Sequence, residues 1–188
     1  PLSGIRARGV NDAAVGDLNR DGLPDLYLAI GTAYPERLNL RGRHDIILMN
    51  RGDGRFESVE ASPPRDAVTN GVTLADIDQD GWLDVLESVD ASTIAGPSRL
   101  LFNRSAPGDL VPTFVPSEFN WDSGTDGMGL AIGDLNQDGH LDLYNTSIGL
   151  DLFALGQGDG RFVDTTQSRG LVHEWSALGL RIQWSPNI

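Results

Sequence analysis

The chain has 188 residues, 39% hydrophobic and 22% charged, which suits one folded domain with a real core rather than a disordered segment. Its net charge of −13 argues against a nucleic-acid partner, because phosphate binding needs a basic face. There is no cysteine, and all 14 basic residues are arginine. Disulfides, thiolate metal sites, cysteine nucleophiles, Schiff-base chemistry and a P-loop lysine are therefore excluded.

No apolar run approaches the roughly 20 residues of a membrane span, so none is expected. The chain begins at Pro1 with no visible signal peptide, which reads as a processed or truncated product. The first apolar stretch is Ala13-Ala14-Val15, followed by the acidic loop Asp17-Leu18-Asn19-Arg20-Asp21-Gly22-Leu23-Pro24-Asp25 and then Leu26-Tyr27-Leu28-Ala29-Ile30. Both apolar runs are too short for helices and rich in β-formers, which predicts strands. A third strand is expected at Ile46-Ile47-Leu48-Met49. A fourth follows Asn50-Arg51-Gly52-Asp53-Gly54, where Asp-Gly predicts a type I′ hairpin turn.

The same order returns twice. Val72-Thr73-Leu74-Ala75 leads into Asp76-Ile77-Asp78-Gln79-Asp80-Gly81-Trp82-Leu83-Asp84, and strands are expected near Val85 to Val89, at Leu100-Leu101-Phe102 and at Thr113-Phe114-Val115. Leu130-Ala131-Ile132 leads into Asp134-Leu135-Asn136-Gln137-Asp138-Gly139-His140-Leu141-Asp142. Strands are then expected near Leu143 to Ser147 and at Leu152 to Leu155, with a second Asp-Gly turn before Phe162. The loops begin 59 and 58 residues apart. Four short strands at that period predict an all-β fold, a β-propeller segment of about three four-stranded blades. The expected units are residues 8–62, 68–118 and 126–168, with the start of a fourth at about 172–188. Three blades cannot close a propeller, so further blades or further copies are expected to complete it.

Ten of the 27 acidic residues lie in these three loops. Packing like charges so closely is unfavourable unless a cation gathers them. The hard oxygen ligands suit Ca²⁺ better than a soft transition metal, and the glycine at position 6 permits the sharp turn. The expected ligands are Asp17, Asn19, Asp21 and Asp25 in the first loop (residues 17–25, loop 1). They are Asp76, Asp78, Asp80 and Asp84 in the second (residues 76–84, loop 2), and Asp134, Asn136, Asp138 and Asp142 in the third (residues 134–142, loop 3). Loop 2 also fits the EF-hand pattern formally, with Glu87 at position 12, but strands flank it and the ninth-position aspartate is the better closing carboxylate. About three Ca²⁺ are expected. Loop 2 has four carboxylates, which predicts the strongest dependence on the metal.

The pattern D-x-[DN]-x-D-G-x-x-D followed by an apolar strand, and then by N-x-G-D-G-x-F, resembles the FG-GAP/VCBS repeat. That repeat builds the calcium-binding blades of integrin α-chain propellers and occurs in exported cartilage acidic protein-like chains. The resemblance covers roughly residues 8–170. It implies a propeller with Ca²⁺ between the first two strands of each blade. It also implies a further backbone ligand from position 7: Leu23, Trp82 and His140.

Other motifs are weaker. Arg51-Gly52-Asp53 is read as the first hairpin turn rather than an integrin ligand. Asn103-Arg104-Ser105 and Asn145-Thr146-Ser147 fit the glycosylation pattern. His44, His140 and His173 show no metal spacing. Trp82, Trp121, Trp175 and Trp184 are expected to pack, and the acids Asp122 and Asp126 to lie in a plain loop.

The functional expectation is an extracellular, cell-surface or periplasmic calcium-binding module. It would bind a protein or glycan, serve adhesion or act as a scaffold, and would not be an enzyme. One alternative is an ancillary or catalytic part of a secreted carbohydrate-active enzyme. Another is a subunit of an extracellular assembly, with open blade edges covered by copies of itself.

Overall fold

A computed structural model describes residues 9–31, 44–60, 68–90, 97–118, 126–148 and 150–170. These residues contain no helix and form three four-stranded antiparallel sheets, none closed into a barrel. Sheet 1 holds β1 (Val10–Gly16), β2 (Asp25–Ile30), β3 (Ile46–Asn50) and β4 (Phe56–Glu60). Sheet 2 holds β5 (Val68–Ala75), β6 (Asp84–Asp90), β7 (Arg99–Asn103) and β8 (Phe114–Pro116). Sheet 3 holds β9 (Gly127–Gly133), β10 (Asp142–Ser147), β11 (Leu152–Gly156) and β12 (Phe162–Asp164). In each sheet every strand pairs with the next in sequence, the meander of a propeller blade.

The period of two along each strand explains how the sheets stack. On β2, Tyr27 and Ala29 turn toward sheet 2, where with Ile47 and Met49 they meet Val72, Val85, Leu101 and Phe114. On sheet 2 the next residues along, Leu86 and Leu100, turn the other way and join Leu143, Leu152 and Ala154 of sheet 3. Sheet 2 is thus apolar on both faces, and each fully buried leucine or isoleucine contributes about 1.5–3 kcal/mol. On sheet 1, the opposite face gathers Leu28, Ile30 and Leu48 with Leu26, Ile46 and Phe56.

The first strand of each sheet is longer than its apolar core predicts. Asn11, Asn70 and Met128 lie in polar or glycine-rich halves that show no apolar alternation. Bonds between neighbouring sheets hold them extended. Asn11 Nδ2 donates to Asn70 Oδ1 (2.7 Å), Asn70 Nδ2 donates to the Gly127 carbonyl (3.1 Å), and the Val72 N–H donates to Asp12 (3.0 Å). Gly71 lies so close to Gly129 that an added Cβ would sit 3.1 Å from its Cα, so a larger residue there would push the sheets slightly apart. Each ladder also carries an irregularity near this end, at Val10/Asp12, Thr69/Gly71 and Thr146/Ser147.

The two Asp-Gly turns diverge. Asp53 (φ 52°) and Gly54 (φ 71°) both lie in the left-handed region, as type I′ requires. In the β11–β12 turn the left-handed residues are Gly158 and Gly160, and Asp159 is not among them. Its carboxylate instead accepts from the backbone N–H of Arg161 (3.1 Å) and from Arg161 Nε (2.7 Å), so the type I′ expectation fails there.

Candidate metal centres

Each acidic loop joins the first strand of its sheet to the second, and the three share one backbone conformation. Position 4 is left-handed in all of them: Arg20 (φ 58°), Gln79 (φ 60°) and Gln137 (φ 63°). Position 6 is a left-handed glycine: Gly22, Gly81 and Gly139. Position 5 accepts from the N–H of position 7 at 2.9 Å each time, Asp21 from Leu23, Asp80 from Trp82 and Asp138 from His140. Position 1 accepts from the position 6 N–H, Asp17 from Gly22 (2.9 Å), Asp76 from Gly81 (2.9 Å) and Asp134 from Gly139 (3.0 Å).

The closing aspartates are fully buried and do the same work in each sheet. One oxygen accepts from position 2: Asp25 from Leu18 (3.0 Å), Asp84 from Ile77 (2.9 Å) and Asp142 from Leu135 (2.9 Å). The other accepts from the end of the third strand: Asn50 (2.8 Å), Asn103 (2.9 Å) or Gly156 (3.1 Å). These bonds pin the loop to the sheet, and each oxygen keeps a second lone pair for a cation. Burial pushes Asp84 up to about 7 against those hydrogen bonds, with Asp78 and Asp80 adding to the rise. Burial raises Asp25 as well. A cation among these groups would restore full ionisation.

Loops 1 and 3 tie positions 3 and 5 together through a neutral amide. Asn19 Nδ2 donates to Asp21 Oδ2 (3.1 Å), and Asn136 Nδ2 donates to Asp138 Oδ2 (2.7 Å). Hydrogen bonds from the His140 N–H and the Asn136 amide hold the exposed Asp138 below its ordinary range. In loop 2, Asp76, Asp78 and Asp84 each bring a carboxylate oxygen to within 4.8 Å of the others. Asp76 Oδ1 and Asp78 Oδ1 are buried there with no hydrogen-bond partner. Orphaned buried carboxylate oxygens are costly. An all-oxygen set with two of them free fits a hard divalent cation.

Sequence reasoning missed Arg104. Its guanidinium bridges Asp78 Oδ2 and Asp80 Oδ2, the latter at 2.6 Å. The pairing spans 24 and 26 residues, and no local pattern signals it.

The loops are also linked to one another. Position 4 of loop 1 reaches loop 2: Arg20 Nη2 donates to the Gly81 carbonyl, and its guanidinium lies 4.4 Å from the Trp82 ring centre. Position 4 of loop 2 reaches loop 3: Gln79 Nε2 donates to the Gly139 carbonyl (2.6 Å) and lies 3.4 Å from His140 Nδ1.

A second cluster missing from the sequence reading lies between sheets 1 and 2. Arg99 pairs with the fully buried Glu87, and Tyr27 donates to Glu87 Oε1 (2.6 Å). Asp45 also bonds Glu87, and accepts from the Ile30 N–H (2.7 Å) and from Thr69 Oγ1 (2.9 Å). Burial, and then the Glu87 charge, push Asp45 up to about 8, so it carries a proton at neutral pH. Burial opposes charge on Glu87 too, but Arg99 outweighs it and holds Glu87 below its ordinary range.

The weaker motifs take structural places. Arg51-Gly52-Asp53 forms the β3–β4 turn, and Arg51 is engaged with Glu57 (2.8 Å). Asn103 and Asn145 are both fully buried, Asn103 bonding the Leu18 carbonyl (2.8 Å) and Asn145 accepting from Ser88 (2.8 Å), so neither is an acceptor for a glycan in this fold. Trp121, Trp175, Trp184, His173, Asp122 and the expected fourth blade lie outside the described residues.

Antiparallel meanders stacked side by side, each headed by the same acidic loop, define a propeller-like repeat protein. Residues 17–87 match the FG-GAP-like repeat, so the resemblance drawn from the sequence is borne out over loops 1 and 2 and the strands between them. No curated protein matches the chain. Repeats of this kind are typical of extracellular proteins, and among the described residues no helix is long and apolar enough to cross a membrane.

Proposed function

We propose that this chain is a calcium-stiffened propeller module that presents its surface to a protein or glycan partner outside the cell, as a binding or scaffolding element rather than a catalyst. The observation that carries the reading is the pair of buried, unpartnered oxygens on Asp76 and Asp78 beside Asp84. Loops 1 and 3 repeat the same backbone turn with an asparagine oxygen in place of the carboxylate at position 3. Asp17, Asn19, Asp21 and Asp25 would hold one ion, Asp76, Asp78, Asp80 and Asp84 a second, and Asp134, Asn136, Asp138 and Asp142 a third. The carbonyls of Leu23, Trp82 and His140 are further candidates. A bound Ca²⁺ supplies charge neutralisation and loop rigidity. Extracellular sites of this class have dissociation constants on the order of 10⁻⁴–10⁻³ M, a range filled outside cells and empty in a cytosol. Calorimetric titration of chelator-stripped protein is expected to return about three Ca²⁺ sites, with no comparable zinc or magnesium binding. Fewer than two sites would defeat the reading.

A further inference from the structure

Loop 2 differs from its counterparts in what neutralises its acids, and this inference rests on the calcium reading above. In loops 1 and 3 an asparagine amide joins position 3 to position 5. Loop 2 has Asp78 at that place and so no position 3 amide to join to position 5. The guanidinium of Arg104 takes over the bridge, binding Oδ2 of both Asp78 and Asp80. Arg104 follows β7 directly and is next to Asn103, whose N–H holds Asp84. From the other side the Phe102 ring supports it, 4.5 Å from the guanidinium carbon.

The equivalent residues of the other sheets turn elsewhere. Arg51 binds Glu57 and the Leu110 carbonyl, and Gln157 binds the carbonyls of Leu155 and Gly156. Arg51 is the same residue type at the same place, so the difference lies in the loop: Asn19 already occupies Asp21 Oδ2. Asp78 and Arg104 are therefore a matched pair. The oxygens are divided between two cations, with Arg104 on Oδ2 of Asp78 and Asp80 and the orphaned Oδ1 atoms of Asp76 and Asp78 left for an ion.

Two effects then oppose the simple count of carboxylates. Without metal, Arg104 relieves the repulsion that a cation would otherwise relieve. With metal, it places a like charge near the ion. We propose that Arg104 is the resident counter-ion of loop 2, holding the loop together without metal and lowering its affinity for a divalent cation. Loop 2, the loop with the most carboxylates, is thereby made less dependent on the metal than its charge implies.

Trp82 at position 7 makes the test selective, since loops 1 and 3 carry Leu23 and His140 there. Terbium(III) stands in for Ca²⁺ and emits when excited through a nearby tryptophan. The full chain, stripped with chelator, is titrated with terbium while tryptophan-sensitised emission is read, and Trp82→Phe identifies the loop 2 signal. Arg104→Gln is expected to bind about tenfold tighter at that site, from the loss of one nearby like charge, and to melt at a lower temperature in chelator. Equal or weaker affinity in a folded Arg104→Gln protein overturns the inference while leaving the calcium reading intact. Absence of emission in both proteins overturns the calcium reading, and this inference with it. If Arg104→Gln folds only with metal, that dependence is itself the expected result. If it folds in neither condition, Arg104→Lys takes its place: it keeps the like charge, so terbium affinity should change little, but an ammonium holds one carboxylate at a time, so the melting temperature in chelator should fall. An unchanged melting temperature in chelator overturns the inference.

Discussion

Loops 2 and 3 share a backbone and a spacing, yet they sit in different surroundings. Position 2 shows this most clearly: Ile77 is 3% exposed and packs among Leu86, Leu100 and Leu143, while Leu135 is 63% exposed. Loop 2 is closed from three sides, by the apolar face of sheet 3, by Arg104 from its own sheet, and by Arg20 stacked on Trp82. Loop 3 receives Gln79 from one side, and its Asp134, Asn136 and Asp138 are exposed. The same acidic motif is therefore a packed element in one blade and a largely solvated one in the next. Its motif does not decide which; its neighbours do.

The largest effect expected from this difference is at position 2. Ile77→Ala should cost about 2–5 kcal/mol by opening a cavity between sheets 2 and 3. Leu135→Ala should stay within about 0.5 kcal/mol, as surface changes do. Denaturant melts in Ca²⁺ compare the two directly, and equal losses would erase the distinction between the loops.

A pH titration separates the packed interior from the loops. Asp45 has an ordinary value of 3.8 and is raised to about 8 in the fold. The folded protein keeps a proton that the unfolded chain has released. That contribution to stability is complete below about pH 4 and is lost as pH rises through about 8. Asp45→Asn imitates the neutral acid and should flatten this decline in thermal melts at several pH values. A decline that survives the substitution would assign it to the closing aspartates instead.

Position 5 provides a finer comparison. Asp80→Ala removes one of the two acids Arg104 bridges, so part of the repulsion leaves with it. Asp138→Ala removes the acceptor of both Asn136 and the His140 N–H. With Arg104 present, the extra melting loss on adding chelator should be smaller for Asp80→Ala than for Asp138→Ala. The reverse order would show that carboxylate number alone ranks the sites.

The smallest expected effect is at the join between loops 1 and 2. Arg20→Ala should cost about 0.5–1 kcal/mol, the scale of an exposed cation–aromatic contact. Tryptophan fluorescence on the same protein should report a changed Trp82 environment, and an unchanged spectrum would mean that the stacking is not maintained in solution.

The loops and the strands beside them were legible because their signals are local. Ligand spacing, the position 6 glycine and short runs of β-formers all fall within nine or so residues. The polar halves of β1, β5 and β9 were not legible, because partners in the neighbouring sheet, rather than apolar alternation, hold Asn11, Asn70 and Gly127 extended. Arg104 was invisible for a related reason. Arg51 occupies the equivalent place and chooses another partner, so residue identity alone does not fix the pairing. Glu87 was noticed only as a formal twelfth position of a metal loop. It stands on the side of β6 that faces sheet 1, with Val85, so its partners Tyr27, Asp45 and Arg99 emerge only once the sheets are stacked.

The contacts from Arg20 to Trp82 and from Gln79 to His140 run in one direction only, from each loop to the one after it. The blades therefore carry an order as well as a shape. An arginine suits an aromatic face, and an amide suits a carbonyl beside an imidazole. Exchanging sheets 2 and 3 would keep every acidic loop and every strand intact, but would place Arg20 beside His140. The junctions bias the order of the blades, each favouring its own successor. A shuffled chain of the same three blades should fold its sheets and lose about 0.5–1 kcal/mol where Arg20 no longer meets Trp82.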